Sequence, residues 1–401
     1  MNSSVSSDRE RRRSTPAMLV IASIITVAFA GSVVVTPLYP LFQREFGFSE
    51  VTLTLIYAVY VVGNVAALLL FGQLSDQIGR KRVALPALML AALGGLLFVL
   101  AHGTAFLFAA RLLVGLAVGI ASGTGTAWLA DEFGPERRSS ATVWAATANM
   151  SGIALGPLLG GLLGQYAPWP LVLPFLVYIA FVLAIAFAIW RMPTGPTQTG
   201  KLREVRVHPR IGVPRSLLGA FAAPAATGFV IFALGGLYFA LIPGILIKDL
   251  HITDIAVGGF VVFELGAIAA AGIVLGRRLS PKVAMTCGQL LLLPGVGLVV
   301  AAQALASLAL LLVAAGFAGL TMALGYRGSL QVINEIAPDQ RRAEVTSAYF
   351  IACFAGNSLP VIGLGVLSTV TGALTASIVF ACTIAALSVA SITWQRRLTR
   401  P

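Results

Sequence analysis

One carboxylate stands well inside a long apolar run: Glu264, about nine residues into the stretch 255–276. At about 1.5 Å per residue it would lie roughly 14 Å deep, near the middle of a bilayer. Removal from water disfavours the charged form of a carboxylate, so Glu264 is placed to take up and release a proton near neutral pH, or to meet a cationic substrate. A structural glutamate bonded to a neighbouring helix is the plainer alternative. Arg111 is its cationic counterpart, roughly 9 Å in from the start of the run 105–129. A charge at that depth is costly unless it faces a wet cavity or snorkels to the surface. Arg327 lies near the end of the run 305–333, where snorkelling of its long stem gives it a structural role. Tyr57, Tyr60, Asn64, Asn149, Tyr238 and Asn357 interrupt otherwise apolar runs. Each is a candidate for lining a cavity, or for a hydrogen bond from helix to helix.

The remaining chemistry is narrowed by what the chain lacks. Cys287, Cys353 and Cys382 lie in apolar runs with no pair at metal-ligand spacing, so they read as small hydrophobes and no metal is expected. There is no zincin helix, no nucleophile elbow and no pair of intramembrane carboxylates, which argues against an enzyme. A Gly-rich phosphate loop ending in Lys-Ser or Lys-Thr is also missing, so no nucleotide cofactor is expected and a proton gradient is the energy source left.

These residues have to be positioned by membrane-crossing elements. Of 401 residues, 58% are hydrophobic and 10% charged, against about 25% charged in soluble domains. The net charge of +12 does not indicate nucleic acid, because the basic residues fall in small clusters between apolar runs and form no solvated face. Runs of spanning length occur at 17–40, 51–72, 83–102, 105–129, 140–165, 168–190, 216–247, 255–276, 283–303, 305–333, 345–370 and 373–395. In lipid each backbone amide needs an internal partner, so these twelve runs are expected to be helices. All of the 27 basic residues except Arg44, Lys248, Arg111 and Arg327 fall on one side of an even number of spans. By the positive-inside rule both termini are cytoplasmic.

The stretch 191–215 carries six basic residues and four prolines and reads as a linker. It divides the chain into a cytoplasmic tail 1–16, a six-helix bundle 17–190, the cytoplasmic linker 191–215, a second six-helix bundle 216–395 and a cytoplasmic tail 396–401. An internal repeat supports the division. Asp131-Glu132-Phe133-Gly134-Pro135-Glu136-Arg137-Arg138 returns as Asn334-Glu335-Ile336-Ala337-Pro338-Asp339-Gln340-Arg341, and the same offset carries Pro157 onto Pro360 and Gly160 onto Gly363. The fold class expected is therefore an all-α polytopic membrane protein of two pseudo-symmetric bundles.

The loop after the second run reads Gly72-Gln-Leu74-Ser-Asp76-Gln-Ile-Gly79-Arg80-Lys81-Arg82. Its glycines permit a tight turn, Asp76 can face a helix N-terminus, and the cations suit an anionic membrane surface. It resembles the signature loop of the major facilitator superfamily, with Gln77 where that family usually has arginine. The resemblance implies that Gly72, Asp76, Gly79 and Arg80 form a cytoplasmic latch between the halves while the substrate site faces outward, with Asp131 or Glu132 as partner for Arg80. The alternative is that the charges only set topology. The counterpart Gly276-Arg277-Arg278-Leu279-Ser280-Pro281-Lys282 keeps the glycine and cations but not the Asp. Arg111 with Gly115 and Gly119 partly resembles a second motif of the family, linked there to proton transfer. Gly152-Ile-Ala-Leu-Gly156-Pro157-Leu-Leu-Gly160-Gly161 resembles its antiporter motif at every Gly and Pro, which implies export.

The resemblance implies a monomeric, multi-pass cell-membrane transporter. It would exchange protons for small hydrophobic or cationic compounds, in the manner of the drug-efflux branch. A symporter or facilitator for a sugar or organic acid is the competitor within transport, and a membrane enzyme or scaffold the competitor outside it.

Overall fold

A computed structural model describes residues 2–71, 74–134, 137–193, 212–338 and 341–398. Among them are twelve helices long and apolar enough to cross a membrane. They are α1 (Pro16–Phe46), α2 (Glu50–Phe71), α3 (Arg80–Val99), α4 (Thr104–Phe133), α5 (Ser140–Tyr166) and α6 (Leu173–Arg191), then α7 (Arg215–Ala240), α8 (Ile255–Arg278), α9 (Pro281–Ala304), α10 (Leu308–Ile336), α11 (Glu344–Thr371) and α12 (Ala373–Arg397). No strand occurs among the described residues. The twelve apolar runs and the all-α polytopic class are as the sequence reading expects. The segment placed in an N-terminal tail is helical from Asn2 and runs unbroken into α1. Gly72 and most of the linker, 194–211, lie outside the described residues.

Two spans depart from regular α-helix in their interior. Pro37 and Pro40 lack the N–H that would continue the ladder, and α1 passes through a 3-10 turn at Thr36–Leu38 before resuming at Tyr39. In α10 a π turn spans Met322–Tyr326. That turn carries Met322 and Tyr326 to the wall of the central cavity described below.

Lipid tails are as apolar as leucine, so burial from water does not drive helices together, and close backbone packing takes over. Small residues make it possible in both halves by the same device. A Cβ on Gly156 of α5 would lie 2.4 Å from the Ala30 carbonyl oxygen of α1, and one on Gly356 of α11 would lie 2.1 Å from that of Phe229 in α7. The pairs α5 with α1 and α11 with α7 are equivalent under the repeat. Basic residues finish helix ends: Lys81 Nζ donates to the carbonyls of Trp190 and Met192 at 2.8 and 2.7 Å, closing the end of α6.

Candidate functional site

The two halves meet at one end of the bundle through two helix pairs. On one side α2 lies against α11, where Tyr57 Oη donates to Asn357 Oδ1 at 3.0 Å and Ser368 Oγ donates to Glu50 at 2.9 Å. Glu50 also forms an ion pair with Lys248, in the segment between α7 and α8. On the other side α5 lies against α8. A Cβ on Gly259 would sit 2.4 Å from the Pro157 carbonyl oxygen, and one on Gly266 would sit 2.7 Å from the Ala154 nitrogen. Above them Tyr166 Oη donates to Asp254 at 3.2 Å and the Ile255 N–H donates to Gln165 Oε1 at 2.9 Å.

Toward the opposite, basic end the halves enclose a cavity of about 450 Å³. Its mouth is formed by the ends of α4 and α10 and the starts of α5 and α11, where Ala130, Asn334, Thr142 and Thr346 line it. Thr126 and Thr142 on this wall are exposed. Ser32, Tyr57, Arg111 and Asn357 form its floor, directly beneath the α2 and α11 contact.

Arg111 is 1% exposed and does not snorkel. Its Nη1 donates to the Ser32 carbonyl and its Nη2 to that of Tyr57 at 3.2 Å, so α4 is tied to α1 and α2. The guanidinium centre lies 5.3 Å from the Tyr57 ring centroid and 4.7 Å from that of Tyr60, within cation–π range. Nε has no hydrogen-bond partner among the described residues. Arg327 is also buried, and instead of reaching the surface it donates to the carbonyls of Gly276, Arg277 and Leu279 at the end of α8. These are the orphan acceptors every helix C-terminus leaves.

The sequence profile of the Major Facilitator Superfamily matches residues 21–359. The chain belongs to the major facilitator superfamily. It is similar to the bacillibactin exporter of Bacillus subtilis, 31% identical over 165 residues, 39% of this chain and 40% of that protein. The chloramphenicol resistance protein CraA of Acinetobacter baumannii is 27% identical over 240 residues, 57% of this chain and 55% of CraA. Multidrug resistance protein MdtL of Escherichia coli is 30% identical over 173 residues, 41% of this chain and 43% of MdtL. The chain thus spans from about two fifths to just over half the length of these relatives. Among solved structures, a bacterial homologue of the human lysosomal transporter Spinster, inward-facing and occupied, shares the fold with a TM-score of 0.72 at 12% identity, covering 95% of this chain and 97% of that one.

In this superfamily member the signature loop is an ion-pair cluster inside the first half. Arg80 pairs with Asp76 and with Asp131, the latter at 2.8 Å, and donates to Ser75 Oγ at 2.8 Å. Gly79 has φ +101°, a conformation that favours glycine, and this sets the turn that aims Arg80 at Asp131. Glu132 is exposed and makes no ion pair among the described residues. The glycine-rich stretch of α5 divides its packing between two neighbours. Gly152, Gly156 and Gly160 face α1, while Pro157 and Gly161 face Gly259 of α8, across the interface between the halves.

Five of the six expected lining residues, Tyr57, Tyr60, Asn64, Asn149 and Asn357, line the cavity together with Arg111. Tyr238 does not: it is 0% exposed, packed inside the second half. Glu264 is also off the cavity wall; its Oε2 is buried without a partner among the described residues, within electrostatic range of Tyr238. No Asp or Glu lines the cavity among the described residues, so the expected cationic substrate would find no counter-charge there. Sequence reasoning missed the aromatic wall of Phe232, Tyr326, Phe350 and Phe354, whose rings lie 5.7 to 6.3 Å apart in sequence of contact. Phenylalanines in apolar runs carry no signal of which way they face.

Proposed function

We propose that this chain is a proton-coupled exporter of small, mostly apolar compounds, working by alternating access in the cell membrane with both termini cytoplasmic. The observation that carries this reading is a cavity between the halves, shut at one end by the α2 with α11 and α5 with α8 contacts. With the basic end cytoplasmic by the positive-inside rule, the cavity stands open to the cytoplasm, where an exporter loads. Rocking the halves would break the Glu50–Lys248 and Tyr57–Asn357 contacts and bring the Asp76, Arg80 and Asp131 cluster against the second half as the cytoplasmic latch. The exporter and resistance names of the relatives support the direction.

Protons are the fuel the sequence leaves available, and one proton crossing a potential of about 100 mV releases about 2.3 kcal/mol. Glu264 is the carboxylate placed inside a span to carry it, with Arg111 at the cavity floor responding to substrate. The test uses inverted vesicles with an imposed pH gradient and a panel of fluorescent apolar compounds. Gradient-driven accumulation that a protonophore collapses is the expected result, and Glu264→Gln should reduce accumulation to the protonophore level with substrate binding retained. Undiminished accumulation by the Glu264→Gln variant removes Glu264 from the mechanism, and uptake in the reverse direction supports the symporter instead.

A further inference from the structure

We propose that the cavity selects aromatic compounds carrying a single negative charge, with Arg111 receiving the charge and the Phe232, Tyr326, Phe350 and Phe354 wall receiving the ring. This rests on reading the cavity as a transporter's substrate site. The only charged side chains on the cavity wall are Arg111 and Arg327, and no Lys, His, Asp or Glu accompanies them among the described residues.

The two guanidinium groups differ in how their charge is offset: Arg111 has two carbonyl partners and Arg327 three. Arg327 makes three hydrogen bonds, through Nη1 and Nη2, to carbonyls at the end of α8, whose orphan acceptors favour a cation, and its Nε is unpartnered among the described residues. Arg111 has five donors and uses Nη1 and Nη2 for one carbonyl each, leaving Nε buried and unpartnered. A cation 1% exposed, held by neutral partners alone, is stabilised further by any anion that reaches it, because Coulomb attraction in such surroundings is little screened. A planar carboxylate or phenolate fits the guanidinium fork. Beside Arg111 a cation meets repulsion.

The opposite wall supplies the rest. Phe232 stands edge-on to Tyr326 and to Phe354, both at 5.7 Å, and Phe350 stacks on Phe354 at 6.3 Å. An aromatic ring entering from the mouth meets offset and edge-on partners of the kind rings prefer. Between the two walls Asn64 and Asn149 each present a buried Oδ1 without a partner among the described residues. These acceptors suit a hydroxyl or amide N–H on the ligand.

The experiment measures binding of three matched probes to the full chain in lipid nanodiscs: 2-naphthoate, 2-naphthamide and 2-naphthylmethylammonium. Hydrogen bonds to a charged group make the anion bind about ten- to a hundredfold more tightly than the amide, with the cation weakest. Arg111→Gln should abolish the anion's advantage. Asn149→Asp, which alters no helix contact to Arg111, should independently shrink it by placing a carboxylate on the wall. Equal binding of cation and anion overturns the proposal, as does an Asn149→Asp variant whose anion-to-cation ratio matches the parent. Proteoliposomes with a pH gradient separate the two levels. Transport of all three probes without preference overturns the substrate class and leaves export standing; the predicted binding order with no transport of any probe overturns export and leaves the binding class standing.

Discussion

Gly259→Leu slows transport about 5- to 150-fold while leaving a folded protein in the membrane. Gly259 lies where α8 touches α5 across the interface between the halves, and a Cβ there would approach the Pro157 carbonyl oxygen to 2.4 Å and the Gly161 Cα to 3.0 Å. Both are backbone atoms that cannot swing away, so a leucine must push the helices apart. Overpacking of this kind costs about 1–3 kcal/mol. That cost falls only on the state in which α5 and α8 touch, so the state closed at this end loses about 5- to 150-fold in population. A cycle that must pass through it slows accordingly. The control is Gly297→Leu, where a Cβ meets nothing within 4 Å and transport should be unchanged. Initial rates in proteoliposomes at matched protein content check both; a Gly259→Leu variant as fast as the parent would mean the contact does not form in the cycle.

Arg111→Leu lowers the stability of the first half. Ser32, whose carbonyl accepts from Arg111, sits in the last α-helical turn of α1 before Pro37, and the Tyr57 carbonyl that also accepts from it belongs to α2. Removing the guanidinium leaves both acceptors buried without it, at about 1–3 kcal/mol each. Loss of an uncompensated buried charge returns part of that. A net loss of about 2 kcal/mol, roughly a 30-fold fall in the folded-to-unfolded ratio, should lower the thermal midpoint in detergent. Arg111→Lys, able to keep one of the two bonds, should recover part of the loss. An Arg111→Leu midpoint equal to the parent's would show that Arg111 does not tie α1, α2 and α4 together.

How much of this was legible in the sequence follows from the solvent. Length and hydropathy are imposed by the bilayer, so the twelve spans can be read from composition alone. Rotation of each span about its own axis cannot, because lipid and a protein interior reward the same apolar side chains. Tyr57 and Tyr238 are both tyrosines in apolar runs; one bridges the halves at the cavity floor and the other is shut inside the second half. The same ambiguity hid the phenylalanine wall and left Glu264 outside the cavity. Arg111 was legible because a guanidinium that deep needs partners wherever it points. The α5 glycines were legible as packing residues, and their division between α1 and α8 became visible only with the backbone contacts.

On the proposed mechanism the two halves rock about this cavity, opening one end as the other shuts. Electron–electron distance measurements between spin labels test it most directly, with one pair at Ser49 and Thr369, beside the Glu50–Ser368 contact, and one at Glu132 and Glu335, flanking the mouth. As the pH gradient or a transported compound is applied, the first distance should lengthen while the second shortens in the same population. Two distances that stay fixed, or that lengthen together, would contradict alternating access in this protein.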